Sequence, residues 1–299
     1  MHTRLVTVTM SVALFLLVTS LYVNGQSTCP VANSNNPAGT ASQRCKCGIK
    51  TDGHIYIYCA RKQLLHLPKF TRSSILYDEL ILSGNRMRNI TRLGFAGLKV
   101  KRLLLDDNPW VHLDAEALGE LANYLEELVL SVSAPDVVDE EASPMERPRM
   151  PPRLFQTLLN LRVAKLSGLT AFASGVLARD TFSRARKLEV VHLAASGVRA
   201  VEEGALSGLE ASLVELSLES NELETAQSVF HEVERATRRL ERLNLARNRI
   251  RRLARHVSMT TSGLGEMQVH SFSYLGFPLR EISKLFFLLP KLPHSLSIF

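Results

Sequence analysis

The residues able to do chemistry in this chain are few, and the most telling are Cys29, Cys45, Cys47 and Cys59, its complete complement of cysteines. An even number gathered at one end of the chain reads as two disulfides. Zinc is the competing use, but Cys45-x-Cys47 lacks the paired Cys-x-x-Cys spacing of a tetrahedral site. The nine histidines are scattered singly, with no His-Glu-x-x-His and no neighbouring cluster of acids. Neither a glycine-rich phosphate loop nor a nucleophile elbow is present. The expectation is therefore a protein with no enzymatic activity, no cofactor and no metal. Asn89-Ile90-Thr91 is a clear acceptor for N-linked sugar.

Acceptor and disulfides both require the secretory route. Residues 1–25 supply it as a signal peptide: Arg4, an apolar run from Leu5 to Val18, and Val23-x-Gly25 as a cleavage site. No later run is long enough to span a membrane, because Pro290, Lys291 and Pro293 interrupt the apolar stretch after Leu285.

The elements that must position these groups are legible in a recurring register. Tyr77-x-x-Leu80-x-Leu82-x-x-Asn85 returns from Val100 to Asn108, from Leu213 to Asn221 and from Leu240 to Asn248, with weaker copies starting at Leu125, Leu161 and Leu188. The fourth positions are Leu80, Leu103, Leu128, Ala164, Val191, Leu216 and Leu243, spaced 23, 25, 36, 27, 25 and 27 residues apart. All but one spacing fall in the band of about 20–29 residues of leucine-rich repeats. The Leu-x-Leu step has the period of a strand, so both leucines turn inward while their neighbours face out. An Asn at the strand exit suits a turn, where its amide satisfies main-chain groups left unpaired. A second apolar set (Ile90, Phe95 and Leu98; Val201, Leu206 and Leu209) predicts short helical or irregular returns. The fold class is α/β: a leucine-rich-repeat solenoid with a curved parallel sheet on its concave face, over residues 73–257. Ser196 replaces the Asn in the fifth copy and Leu169 in the fourth, where the turn must be rebuilt.

The cysteines gain meaning from their place just before the first repeat. Cys29-Pro30, Cys45-x-Cys47 and Cys59, followed by Leu64, Leu67 and Pro68, resemble the amino-terminal cap of extracellular leucine-rich-repeat proteins of the Slit, Toll, chaoptin and small-proteoglycan type. That resemblance implies a cap over residues 26–72, with Cys29 paired to Cys47 and Cys45 to Cys59. A cap answers a physical need, since the first repeat has no neighbour to cover one side of its core. At the other end the chain departs from the family. Residues 258–299 contain neither cysteine nor repeat register, and are either an apolar cap of another kind or a shortened end.

The 36-residue interval carries an insert at 131–152, acidic at Asp136, Asp139, Glu140 and Glu141, then proline-rich, expected to be an exposed loop. Register alone places Ile81, Leu104 and Val129 outward on the concave face, beside Glu79, Arg102 and Glu127. An apolar patch edged by charge marks a contact site for an extracellular or cell-surface protein. The net charge of +7 is local: between Arg235 and Arg255 stand nine arginines and one acid, Glu241. Arg238, Arg239, Arg251 and Arg252 are the candidate sites for heparan sulfate or another anion. Secretion gives nucleic acid no opportunity. The expected function is extracellular recognition in adhesion, guidance or immune-type signalling. The alternatives are a matrix or glycosaminoglycan-binding structural protein and the ectodomain fragment of a longer receptor.

Overall fold

The computed structural model describes residues 29–31, 45–114, 116–132, 148–150, 153–170, 175–236, 238–250 and 268–270. Residues 1–28, which include the expected signal peptide, the acidic stretch 133–147, Arg251, Arg252 and most of 258–299 lie outside the described residues. The described chain is a parallel β-sheet solenoid of about seven turns.

Ten strands form one sheet. They are β1 (Lys46–Ile49), β2 (Ile55–Tyr58), β3 (Leu76–Ile81), β5 (Lys99–Leu104), β7 (Glu127–Ser131), β8 (Val163–Ser167), β10 (Val190–Ala194), β12 (Glu215–Ser217), β13 (Arg242–Asn244) and β14 (Gln268–His270), neighbours in that order. β1 and β2 are an antiparallel hairpin, and every later pairing is parallel. The register aligns the fourth repeat positions: Leu80 lies opposite Leu103, then Leu128, Ala164, Val191, Leu216 and Leu243. All seven are buried, as are the second leucines of each step from Leu82 to Leu245. Burying a leucine side chain is worth about 1.5–3 kcal/mol, so these stacked columns are the main cohesive force along the axis.

On the opposite side the chain returns through turns more than helices. β4 (Asn89–Ile90) pairs with β6 (His112–Leu113), and β9 (Val176–Leu177) with β11 (Ala200–Val201), each as a short parallel ladder. The helical pieces are brief, except for the ten residues Gln227–Ala236, which bury Val229, Phe230 and Val233. The second apolar set closes the core from this side: Ile90, Phe95, Leu98, Val201, Leu206 and Leu209 are all buried. Gly208 shows how closely turns approach. Its φ is +96°, and a Cβ there would stand 2.5 Å from the carbonyl oxygen of Phe182 in the preceding turn.

The disulfides Cys29–Cys47 and Cys45–Cys59 tie the first hairpin down. Cys59 is fully buried against the first repeat, and its backbone N–H donates to the Ile81 carbonyl at 2.8 Å. The cap is thereby the first rung of the sheet rather than a separate lid.

One part of the chain differs from the sequence expectation. The insert does not run from 131 to 152 as loop: Ser131 ends β7, Met150 is buried, and Arg149 bridges to Thr170. The polypeptide is drawn back to the solenoid because Met150 is apolar and Thr170 bonds the returning backbone twice, its N–H donating to the Pro148 carbonyl at 2.9 Å and its carbonyl accepting the Met150 N–H at 3.1 Å. In the carboxy-terminal segment, which lacks repeat register, Gln268–His270 nevertheless adds a strand to β13. Strand addition at the edge of β13 uses backbone donors and acceptors and needs no leucine pattern.

Candidate functional site

The turn geometry that fixes the outer face of the sheet rests on the asparagines. Asn85 donates through Nδ2 to the carbonyl of Leu82 at 2.7 Å and to that of Cys59 at 2.9 Å, while its Oδ1 accepts from Lys62 N–H at 2.9 Å. Asn108, Asn221 and Asn248 repeat this pattern on later turns. Each therefore bonds the preceding coil as well as its own. The residue before each of these asparagines, and before Leu169 and Ser196 at the same register position, has a left-handed backbone: Gly84, Asp107, Gly168, Ala195, Ser220 and Arg247, with φ between +50° and +73°. Ser196 substitutes only locally, its Oγ donating to the Ala194 carbonyl at 3.1 Å. Leu169 is buried instead.

Held in this way, the outward side chains form two rows across the strands. The first runs Lys46, Tyr58, Ile81, Leu104, Val129, Lys165, His192, Ser217 and Asn244. The second runs Tyr56, Glu79, Arg102, Glu127, Val163, Val190, Glu215 and Arg242. Among the sequence candidates, Ile81, Leu104 and Val129 are contiguous and half-buried, and the row extends to Tyr58, which is 38% exposed. Sequence reasoning missed Tyr58. The alternation Ile55-Tyr56-Ile57-Tyr58 signals a strand with both tyrosines outward, but the segment precedes the first full repeat and was not assigned to the sheet.

Glu79, Arg102 and Glu127 also come together, mainly to neutralise one another. Arg102 bonds Glu79 and, through Nε, Glu127 at 2.7 Å; Lys50 Nζ reaches Glu79 at 2.6 Å. Glu79 is only 5% exposed, so it holds its neighbours and presents little surface of its own. One residue nearer the strand start, Asp78 and Lys101 pair at 2.8 Å, and further along Arg162 and Glu189 at 2.8 Å. Burial alone would raise the Asp78 carboxyl, yet its bonds to Lys101 and to the Ile55 N–H hold it below its ordinary value. Lys101 is raised, chiefly by its hydrogen bond to Asp78.

His192 has no carboxylate in its own row. Glu215 belongs to the adjacent row and reaches diagonally, placing Oε1 2.7 Å from His192 Nε2. The other oxygen of Glu215 accepts from Arg242 at 2.7 Å. Burial pushes Glu215 up, but these two partners outweigh it and leave the carboxyl below its usual range.

The arginine cluster is also less open than its composition suggests. Arg235 pairs with Glu203, Arg242 with Glu215, Arg247 with Glu219 at 3.4 Å and Arg249 with Glu222 at 3.9 Å. These acids sit one turn earlier, where counting charges within a short segment cannot find them. Of the candidate anion ligands, Arg238 and Arg239 are exposed, and Arg251 and Arg252 lie outside the described residues. In the separate short ladder of β4 and β6, Asn89 and Thr91 are exposed while Ile90 is buried, so the acceptor side chain faces solvent. Among the described residues, no group of three or more His, Cys, Asp or Glu is arranged to hold a metal ion. No described helix is long and apolar enough to cross a membrane.

No protein-family model matches the chain, and comparison with curated proteins finds no match.

Proposed function

We propose that this chain is an extracellular leucine-rich-repeat protein whose concave face recognises another protein. Support for the repeat type comes from the Leu-x-x-Leu-x-Leu-x-x-Asn register and the part the asparagines play between coils. Two disulfides support an oxidising compartment, and with it the secretory reading of residues 1–25 and sugar at Asn89.

One observation carries the binding assignment: Tyr58, Ile81, Leu104 and Val129 form an unbroken apolar row on the outer surface of a rigid sheet. The flanking charges are already paired, so a partner gains apolar contact without first separating ions. A preformed surface also loses little ordering entropy on docking.

Leu104→Glu puts a charge in the centre of the row without altering the buried columns. Binding to a cell-surface partner, measured by surface plasmon resonance after capture from membranes, is expected to fall at least about tenfold, as expected for a central contact residue. Unchanged affinity, with an unchanged circular dichroism spectrum, sinks the concave-face reading. A glycosaminoglycan role, in matrix organisation, draws on the exposed pair Arg238 and Arg239. It predicts salt-sensitive retention on heparin that Arg238→Ala with Arg239→Ala abolishes and Leu104→Glu leaves intact.

A further inference from the structure

The apolar row ends the same way on both sides. Lys46 lies opposite Tyr58 on β1, and Lys165 lies opposite Val129 on β8, so six consecutive positions read Lys, Tyr, Ile, Leu, Val, Lys. Both lysines are exposed. Neither has a carboxylate within ion-pair distance among the described residues. By contrast, Lys50, Lys101, Arg102, Arg162, His192 and Arg242 on the same face are each held by an acid. The second row reinforces the break at Lys165: its alternating charges give way there to Val163 and Val190, which flank the lysine on its own strand and the next.

We infer that this row receives an amphipathic helix of the partner, apolar along its centre and acidic at both ends. The inference rests on the concave-face reading above and adds the chemistry of the ligand. Lys46 and Lys165 are five strand steps apart, about 24 Å at the usual inter-strand spacing. A helix rising 1.5 Å per residue covers that length in about 16 residues, or four to five turns. The row crosses the strands, whose backbone groups are already bonded to each other, so the face offers the ligand side chains alone. A segment lying on it must satisfy its own backbone, which a helix does and an extended strand does not. The exposed lysines at the two ends then select carboxylates in the first and last turns, and the paired charges beside the row remain as they are.

The test is selection from a display library of 18-residue helix-forming peptides on the folded, disulfide-bonded protein. Enriched peptides are expected to carry leucine or isoleucine on one face and Asp or Glu in both terminal turns. The doubly charge-reversed variant Lys46→Glu with Lys165→Glu should bind them at least about tenfold more weakly. Exchanging the terminal acids of the peptide for lysine should restore binding to that variant. Circular dichroism and thermal melting verify that both exposed substitutions leave the fold intact. Failure to enrich, enrichment without acidic ends, or affinity indifferent to the charge exchange overturns the inference. The two levels separate cleanly. If Leu104→Glu abolishes binding while the lysine exchange has no effect, the face is correct and the acidic-ended helix is wrong. If neither matters, both fall.

Discussion

Asn221 accepts, through Oδ1, the backbone N–H of Ser196 at 3.0 Å, from a residue one complete turn earlier in the solenoid. The same oxygen takes the N–H of Val198, and Nδ2 donates to the Leu193 carbonyl at 2.7 Å. The side chain is buried, so water cannot replace it. Asn221→Ala leaves three main-chain groups without partners inside the protein. The expected loss is about 1–3 kcal/mol, the usual cost of stranding buried polar groups, read as a fall in the urea midpoint. A change below about 0.5 kcal/mol, the range of ordinary surface substitutions, sinks the assignment of the asparagines as links between coils.

Much of this was legible beforehand because leucine spacing reports burial directly: Leu80, Leu103, Leu128 and Leu216 stand opposite one another as their register requires. What stayed hidden depended on partners a turn away. The tie between Asn221 and Ser196 spans 25 residues, and that between His192 and Glu215 spans 23. Glu215 belongs to the neighbouring row, so a search down the row of His192 alone misses it. The left-handed positions were concealed differently. Glycine marks that conformation at Gly84 and Gly168, but Asp107, Ala195, Ser220 and Arg247 adopt it without any distinguishing residue type.

Ala195 gives this backbone column its own test. Its φ is +50°, a conformation that a Cβ makes costly and that glycine adopts freely. Its N–H donates to the Glu219 carbonyl at 3.0 Å, and a glycine retains that bond. Ala195→Gly is expected to stabilise the protein by about 0.5–1 kcal/mol, the strain relieved less the added freedom of the unfolded chain. Differential scanning calorimetry should show a higher transition temperature. A lower one would mean that the methyl group packs better than the backbone argument allows.

The cap makes a separate prediction. Cys45 and Cys59 close a segment with a sequence separation of 14, and Cys59 is wholly buried at the first rung. Replacing both with serine removes the cross-link and places hydroxyls where sulfur was packed. A loop of this size contributes about 3 kcal/mol through the unfolded chain. Hydrogen exchange should accelerate first in β2 and β3, with β12 and β13 following only at higher denaturant, because each turn depends mainly on its neighbours. Uniform acceleration throughout would show that the cap governs the solenoid as one unit.

Acid sensitivity follows from the ion pairs between turns. Asp78 and Glu215 both have carboxyls held below their ordinary values, Asp78 by Lys101 and the Ile55 N–H, and Glu215 by Arg242 and His192, in each case against the opposing effect of burial. A lowered folded-state pKa means the unfolded chain takes up protons first as pH drops. The stability contributed by these groups is therefore complete above the ordinary carboxylate range, about 4, and is lost as pH falls through their lower folded-state values. Urea midpoints measured at pH 7, 5 and 3 should change little over the first interval and drop over the second. Asp78→Asn with Glu215→Gln should be less stable at pH 7 and approach the parent protein at pH 3, because the parent has by then lost the same interactions. Raising the salt concentration to 1 M should narrow the difference at pH 7 as well, since screening contracts from about 8 Å to about 3 Å. Parallel pH curves for variant and parent would remove these two carboxylates from the account of acid unfolding, and leave the ladder of charges as surface decoration.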